Sequence, residues 1–196
     1  NAICSLLDID EGEFLVNDIP IEKINKASYR SKVGYITQEP TIFNADIFDN
    51  VSFWDERTTE NLEKFWKVIN MCSLDGFLKS LPNQEKELLG NNGINISGGQ
   101  KQRISIAREL YRDVDLLIMD EATSALDSET EKEIKDSIES LQGKVTIVSI
   151  AHRLSTIRNA DVIYVMDKGK IIGSGNFDEL KQKYDYLRKL AELQGM

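Results

Sequence analysis

The spacing of apolar positions changes several times along this chain, and each change predicts an element. Leu62, Phe65, Trp66 and Ile69 recur at three- and four-residue steps, so Thr59 to Met71 reads as an amphipathic helix. Leu74 to Leu81 reads as a second short helix, stopped by Pro82. Ser97 is a good N-cap for a helix from Gly98 to about Tyr111. Leu116 to Met119 is fully apolar and bounded by charges, the pattern of a parallel strand buried on both faces. An acidic start at Asp127 opens another helix to about Leu141, and Gly143 ends it. Val145 to Ile150 and Asp161 to Met166 read as strands, with a short helix from Arg153 to Arg158 between them. Lys168-Gly169 is a tight hairpin turn into Lys170 to Gly173, and Phe177 to Leu193 forms two amphipathic helical pieces.

The first hundred residues are less regular. Asn1 to Leu7 looks like the end of an amphipathic helix, and Glu13 to Asn17 like a short strand. Ile21 to Lys26 reads as a helical turn and Lys32 to Thr37 as a second strand. Pro40 to Phe53 reads as irregular, with the exposed-type apolar residues Ile42, Phe43, Ile47, Phe48 and Val51. Asn83 to Gly93 is a polar loop. From residue 97 onward helix and strand alternate, which predicts an α/β fold with a parallel sheet; the earlier mixture of short strands and helices predicts a second lobe.

Composition narrows this only modestly. The 196 residues suffice for one domain with a real core, and 41% apolar with 29% charged residues is ordinary for a soluble globular protein. The net charge of −9 disfavours a nucleic-acid partner but does not oppose a nucleotide, which needs only a local positive field. Cys4 and Cys72 show no metal-binding spacing and read as free thiols. No window approaches the ~18 apolar residues of a membrane span.

The chemistry gathers between Asn95 and Asp127. Ser97-Gly98-Gly99-Gln100 offers a hydroxyl, close backbone approach and a helix N-terminus, the means of holding a phosphate, although Ser-Gly-Gly is also an ordinary loop. Asp120 ends the buried strand and Glu121 follows. Such a pair can hold a Mg²⁺ and prepare a water, or simply cap a strand at the surface. His152, the sole histidine, and Gln38 also follow strands, at the carboxyl edge where α/β ligand sites form. Asp127 alone would read as a helix cap.

In this order and spacing the group resembles the nucleotide-binding domain of ATP-binding-cassette (ABC) transporters. Ile96-Ser-Gly-Gly-Gln100, with Ile for the family's usual Leu, is similar to the signature motif. Leu116 to Asp120 with Glu121 resembles Walker B plus the catalytic glutamate. Ser124 to Asp127 resembles the D-loop, Gln38 the Q-loop and His152 the switch histidine. Gln38-Glu-Pro-Thr-Ile-Phe43 and Leu88-Leu-Gly-Asn-Asn-Gly93 look like exporter-type cassettes, with Asn91 where the exporter loop usually has Glu.

The resemblance implies a P-loop NTPase (RecA-like) parallel sheet core with a helical signature-motif subdomain. The whole of 1–196 would be one truncated cassette, with the helical part at roughly 45–112. It implies ATP and Mg²⁺ as cofactors. Glu121 and His152 would be catalytic, Asp120 and Gln38 would serve the metal, and Ser97, Gly98, Gly99, Gln100 and Asp127 would meet ATP at a head-to-tail dimer interface. The implied partners are a second nucleotide-binding domain and transmembrane domains docking on Gln38 to Val51, without nucleic acid, at the cytoplasmic face of the cell membrane. A soluble ABC ATPase acting on DNA or ribosomes and a non-catalytic cassette are the alternatives.

One expected motif is missing. G-x-x-x-x-G-K-[ST], which cradles the phosphates, does not occur: Gly143-Lys144 is followed by Val145 and Gly169-Lys170 by Ile171, and neither has a glycine five residues earlier. The expectation is therefore a cassette whose N-terminal part, including Walker A, is missing, leaving a normally buried sheet edge open and the 196 residues inactive alone.

Overall fold

The computed structural model describes residues 2–120, 128–139, 141, 143–150 and 154–193. Two compact units are present, 1–148 and 149–196.

In the first unit, Asn17 and Asp18 both take positive φ, 50° and 63°. That geometry suits a two-residue hairpin turn, and it joins β1 (Leu15–Val16) to β2 (Ile19–Pro20). A short 3-10 turn at Ile21–Lys23 leads to α1 (Lys26–Ser31), where the Asn25 side chain accepts from the Ala27 and Ser28 amides. Strand β3 (Val33–Ile36) follows, then α2 (Ile47–Ser52), α3 (Thr59–Met71) and α4 (Asp75–Ser80). Helix α5 (Gly98–Tyr111) leads into β4 (Leu116–Asp120), and α6 (Ser128–Glu139) into β5 (Thr146–Ile150). The sheet order is β3-β4-β5, with β3 and β4 parallel and Val33 opposite Leu116.

Two-residue alternation divides the β3–β4 ladder between two faces. Ile36, Leu117 and Met119 join the main core, which α2 to α5 fill with Phe48, Phe65, Ile69, Leu78, Ile104 and their neighbours. Val33 and Ile118 face a smaller cluster with Cys4, Tyr29 and Tyr35. Helix α5 packs on α2, α3 and β3, so most of its surface is buried. Gly34 allows this approach. A Cβ there would stand 2.9 Å from Leu117 Cδ1 and 3.0 Å from Glu109 Cβ. We expect Gly34→Ala to destabilise the chain by about 1–3 kcal/mol, seen as a lower unfolding midpoint; an unshifted midpoint would show that the ladder yields freely.

In the second unit, α7 (Leu154–Ile157) precedes β6 (Ile163–Asp167) and β7 (Lys170–Gly175). These strands pair antiparallel through a turn with positive φ at Lys168 and Gly169. Helices α8 (Phe177–Lys183) and α9 (Asp185–Leu193) follow. Leu154, Phe177 and Ala191 form the centre of this unit's own cluster.

Two expectations need correction. Ala2 to Leu7 is a series of turns rather than the end of a helix, because Ser5 sits at φ 52° and its amide closes a turn onto Ala2 O. Ile42, Ile47, Phe48 and Val51 are buried, not available for docking. The physical reason is α2: the Asp46 side chain caps it by accepting from the Asp49 amide, and the helical turn carries Ile47, Phe48 and Val51 into the core.

Candidate functional site

The candidate residues lie in two places, at the carboxyl ends of β3 and β4 and at the start of α5. Asp120 is the last residue of β4 and half-buried. Tyr35, on the neighbouring strand, sits opposite Ile118, so its side chain shares a sheet face with Asp120 two residues further on. Its ring packs with the Val33–Ile118 cluster, and its Oη donates to Asp120 Oδ2 at 3.0 Å. That bond is the main reason the phenol is held above its ordinary pKa, with burial adding to it, so Tyr35 remains a neutral donor.

Gln38 lies two residues beyond β3 and is exposed. Beside it, Thr37 Oγ1 donates to Glu39 O at 2.8 Å, and Gln102 Nε2 of α5 reaches Thr37 O at 3.4 Å. The loop after β3 is thus joined to the helix that carries the glycines. Asp120 and Gln38 offer hard oxygen donors. Mg²⁺ is commonly held by one or two protein oxygens, with water and phosphate oxygens completing its shell, and this donor set fits that chemistry.

Ser97 to Gln100 forms a reciprocal cap. Ser97 Oγ accepts from the Gln100 amide at 3.2 Å, and Gln100 Oε1 accepts from the Ser97 amide at 2.8 Å. Ser97 and Gly98 are exposed and Gly99 is buried. The Gly98 and Gly99 amides stand in the first turn, where no intrahelical acceptor exists, and the Ser97 hydroxyl hydrogen can still be donated. Glu121, Asp127 and His152 lie outside the described residues.

Sequence reasoning missed a buried polar junction behind these groups. Arg108 of α5 donates to Asn50 O at 2.6 Å, to Thr41 O at 2.8 Å and to Asn50 Oδ1 at 3.2 Å. Its guanidinium also lies over the Phe43 and Phe53 rings. Asn50 accepts from the Phe43 amide and donates to the Phe43, Ala45 and Asp46 carbonyls. Burial pulls the Arg108 pKa down, while carbonyl acceptors and ring faces compensate its charge. No sequence signal singled the junction out, since Asn50 stands beside Asp49 between Phe48 and Val51. The same junction supports an exposed aromatic surface: Phe53 and Trp54 both sit at positive φ, 57° and 60°, and their rings lie 5.9 and 5.2 Å from that of Phe43. Near Gly34, burial pushes the Glu109 carboxyl up, while Arg112 at 2.7 Å acts the other way.

Comparison with known proteins follows the same outline. Residues 1–124 match the family described as ABC transporter. The chain is 43% identical over 192 residues to the ABC multidrug transporter atrD of Emericella nidulans, covering 96% of this chain and 14% of that protein. It is 40% identical to the heterocyst differentiation ATP-binding protein HepA of a Nostoc species, covering 95% of this chain and 30% of the relative. The chain therefore spans less than a third of the length of either relative. Its fold superposes on a bacterial Atm1-family ABC exporter with ATP bound at a TM-score of 0.86 and 29% identity, covering all of this chain and 34% of that one. Given the matched span, these relatives and the shared α/β architecture of a P-loop NTPase, the chain belongs to the ABC transporter family.

Proposed function

We propose that the chain is the ATP-binding and ATP-hydrolysing motor domain of an ABC exporter. All of 1–196 would act as one cassette, with a helical subdomain at roughly 45–112. The observation that carries this reading is the placement of Asp120 at the end of a buried strand, beside the loop bearing Gln38. The multidrug transporter and exporter names of its relatives support the exporter assignment.

In this reading Glu121 orients the attacking water and accepts its proton, and His152 donates a hydrogen bond to the γ-phosphate. Asp120 and Gln38 would hold Mg²⁺, which would supply charge neutralisation at the phosphates. Ser97, Gly98, Gly99 and Gln100 serve the nucleotide held by a second cassette, and Asp127 lies at that interface. Two half-sites on one chain then require a head-to-tail dimer. The transmembrane partner docks on the surface of Phe43, Phe53 and Trp54, since the neighbouring apolar side chains are committed to the core. That partner places the motor at the cytoplasmic face of a membrane. Among the described residues no helix is long and apolar enough to cross one.

The test is nucleotide turnover with two samples. The complete protein should hydrolyse MgATP, whereas these 196 residues alone, which have no G-x-x-x-x-G-K-[ST] cradle, should show neither turnover nor micromolar ATP binding. Steady hydrolysis by the 196 residues would refute the need for that cradle. A complete protein that is inert toward MgATP would remove the motor assignment.

A further inference from the structure

We propose that Tyr35 is a positioning residue for the Asp120 carboxylate, holding it in the orientation in which it receives a divalent cation; this rests on the motor reading above. The ring of Tyr35 packs with the apolar cluster of Val33, Ile118 and Leu116. Parallel register places it opposite Ile118, one alternation short of Asp120. The phenol therefore reaches along the sheet face to the strand end, and its Oη donates to Asp120 Oδ2 at 3.0 Å.

A carboxylate at the end of a strand can rotate about its terminal torsion, which is broad and roughly two-fold. Engaging Oδ2 removes much of that freedom, and Oδ1 takes no part in the bond. The donor is itself fixed, because its ring is held by packing on β3 and β4 rather than by a loop. Partners of this kind, one shell removed from a metal, commonly govern affinity by orienting the ligand. Nothing in the sequence pattern singles out this tyrosine, whose position in the strand alternation already explains it as a core residue.

The experiment uses the complete protein stripped of metal with EDTA. Binding of a fluorescent ATP analogue is followed as Mn²⁺ is added, for wild type, Tyr35→Phe, Asp120→Asn and the double variant. Tyr35→Phe should raise the Mn²⁺ concentration at half-saturation on the order of tenfold, while affinity for the analogue in EDTA stays at the wild-type value. In the Asp120→Asn background the tyrosine substitution should have no further effect, because the group it positions has lost its charge. A Tyr35→Phe curve that overlays wild type, or an equal further loss in the Asp120→Asn background, overturns the assignment. A fall in EDTA affinity matched by a lower unfolding midpoint also overturns it, since that would be a packing effect alone. If binding to the wild-type protein ignores Mn²⁺ altogether, the motor reading fails and this inference fails with it.

Discussion

Glu121→Gln in the complete protein is expected to lower ATP turnover by at least ~100-fold while ATP stays bound, because a positioned proton acceptor contributes roughly 10²–10⁴-fold. Glutamine keeps the length and one oxygen of glutamate, so it can still hold a water by hydrogen bonding. It cannot take the proton as the water attacks. In sequence the residue directly follows Asp120, the last residue of β4. Retained nucleotide together with lost phosphate release is the diagnostic pair of measurements. Turnover at the wild-type rate would take Glu121 out of the mechanism, and loss of binding along with turnover would assign it to the fold instead.

The second large effect concerns stability. Arg108→Met should destabilise this chain by about 2–4 kcal/mol, since each buried acceptor left unpaired costs about 1–3 kcal/mol. Methionine fills much of the same space, which separates polar loss from cavity formation. The acceptors at risk are Asn50 O and Thr41 O, because Asn50 Oδ1 keeps its bond from the Phe43 amide. Arg108→Lys should recover only part of the loss, as a single ammonium cannot span three acceptors in the planar arrangement of a guanidinium. Denaturant unfolding gives the midpoints, and amide exchange should rise first in 41–55. Unchanged midpoints in both variants would mean that the junction contributes nothing net.

Much of the fold was legible because its signals are local. Ser97 marked the start of α5, and the three- and four-residue spacing of Leu62, Phe65 and Ile69 marked α3; both helices have the expected bounds. The apolar run Leu116 to Met119 likewise became a strand buried on both faces. What was not legible depends on tertiary partners. Pro40 to Phe53 has no periodic stripe, because α2 is only six residues long and is held by its Asp46 cap and by Arg108, which lies 58 positions beyond Asn50. The Tyr35–Asp120 bond is equally invisible, since it needs the register of two strands separated by the entire helical block. Ser97, Gly98, Gly99, Gln100, Gln38 and Asp120 could be named from motif spacing alone. The local cap at Ser97 followed from the same reading, but the Tyr35 donor to Asp120 did not.

The reciprocal cap at Ser97 and Gln100 bears on how readily two cassettes could part. Before any nucleotide arrives, each of these side chains already has a backbone partner. Both cap bonds use the oxygens of these side chains as acceptors, so the Ser97 hydroxyl hydrogen and the Gln100 side-chain NH2 could meet a neighbour's phosphate without breaking the cap. In the motor reading proposed above, the helix start would keep its own cap whether or not a nucleotide is held, so letting go would not cost the fold its N-terminal turn.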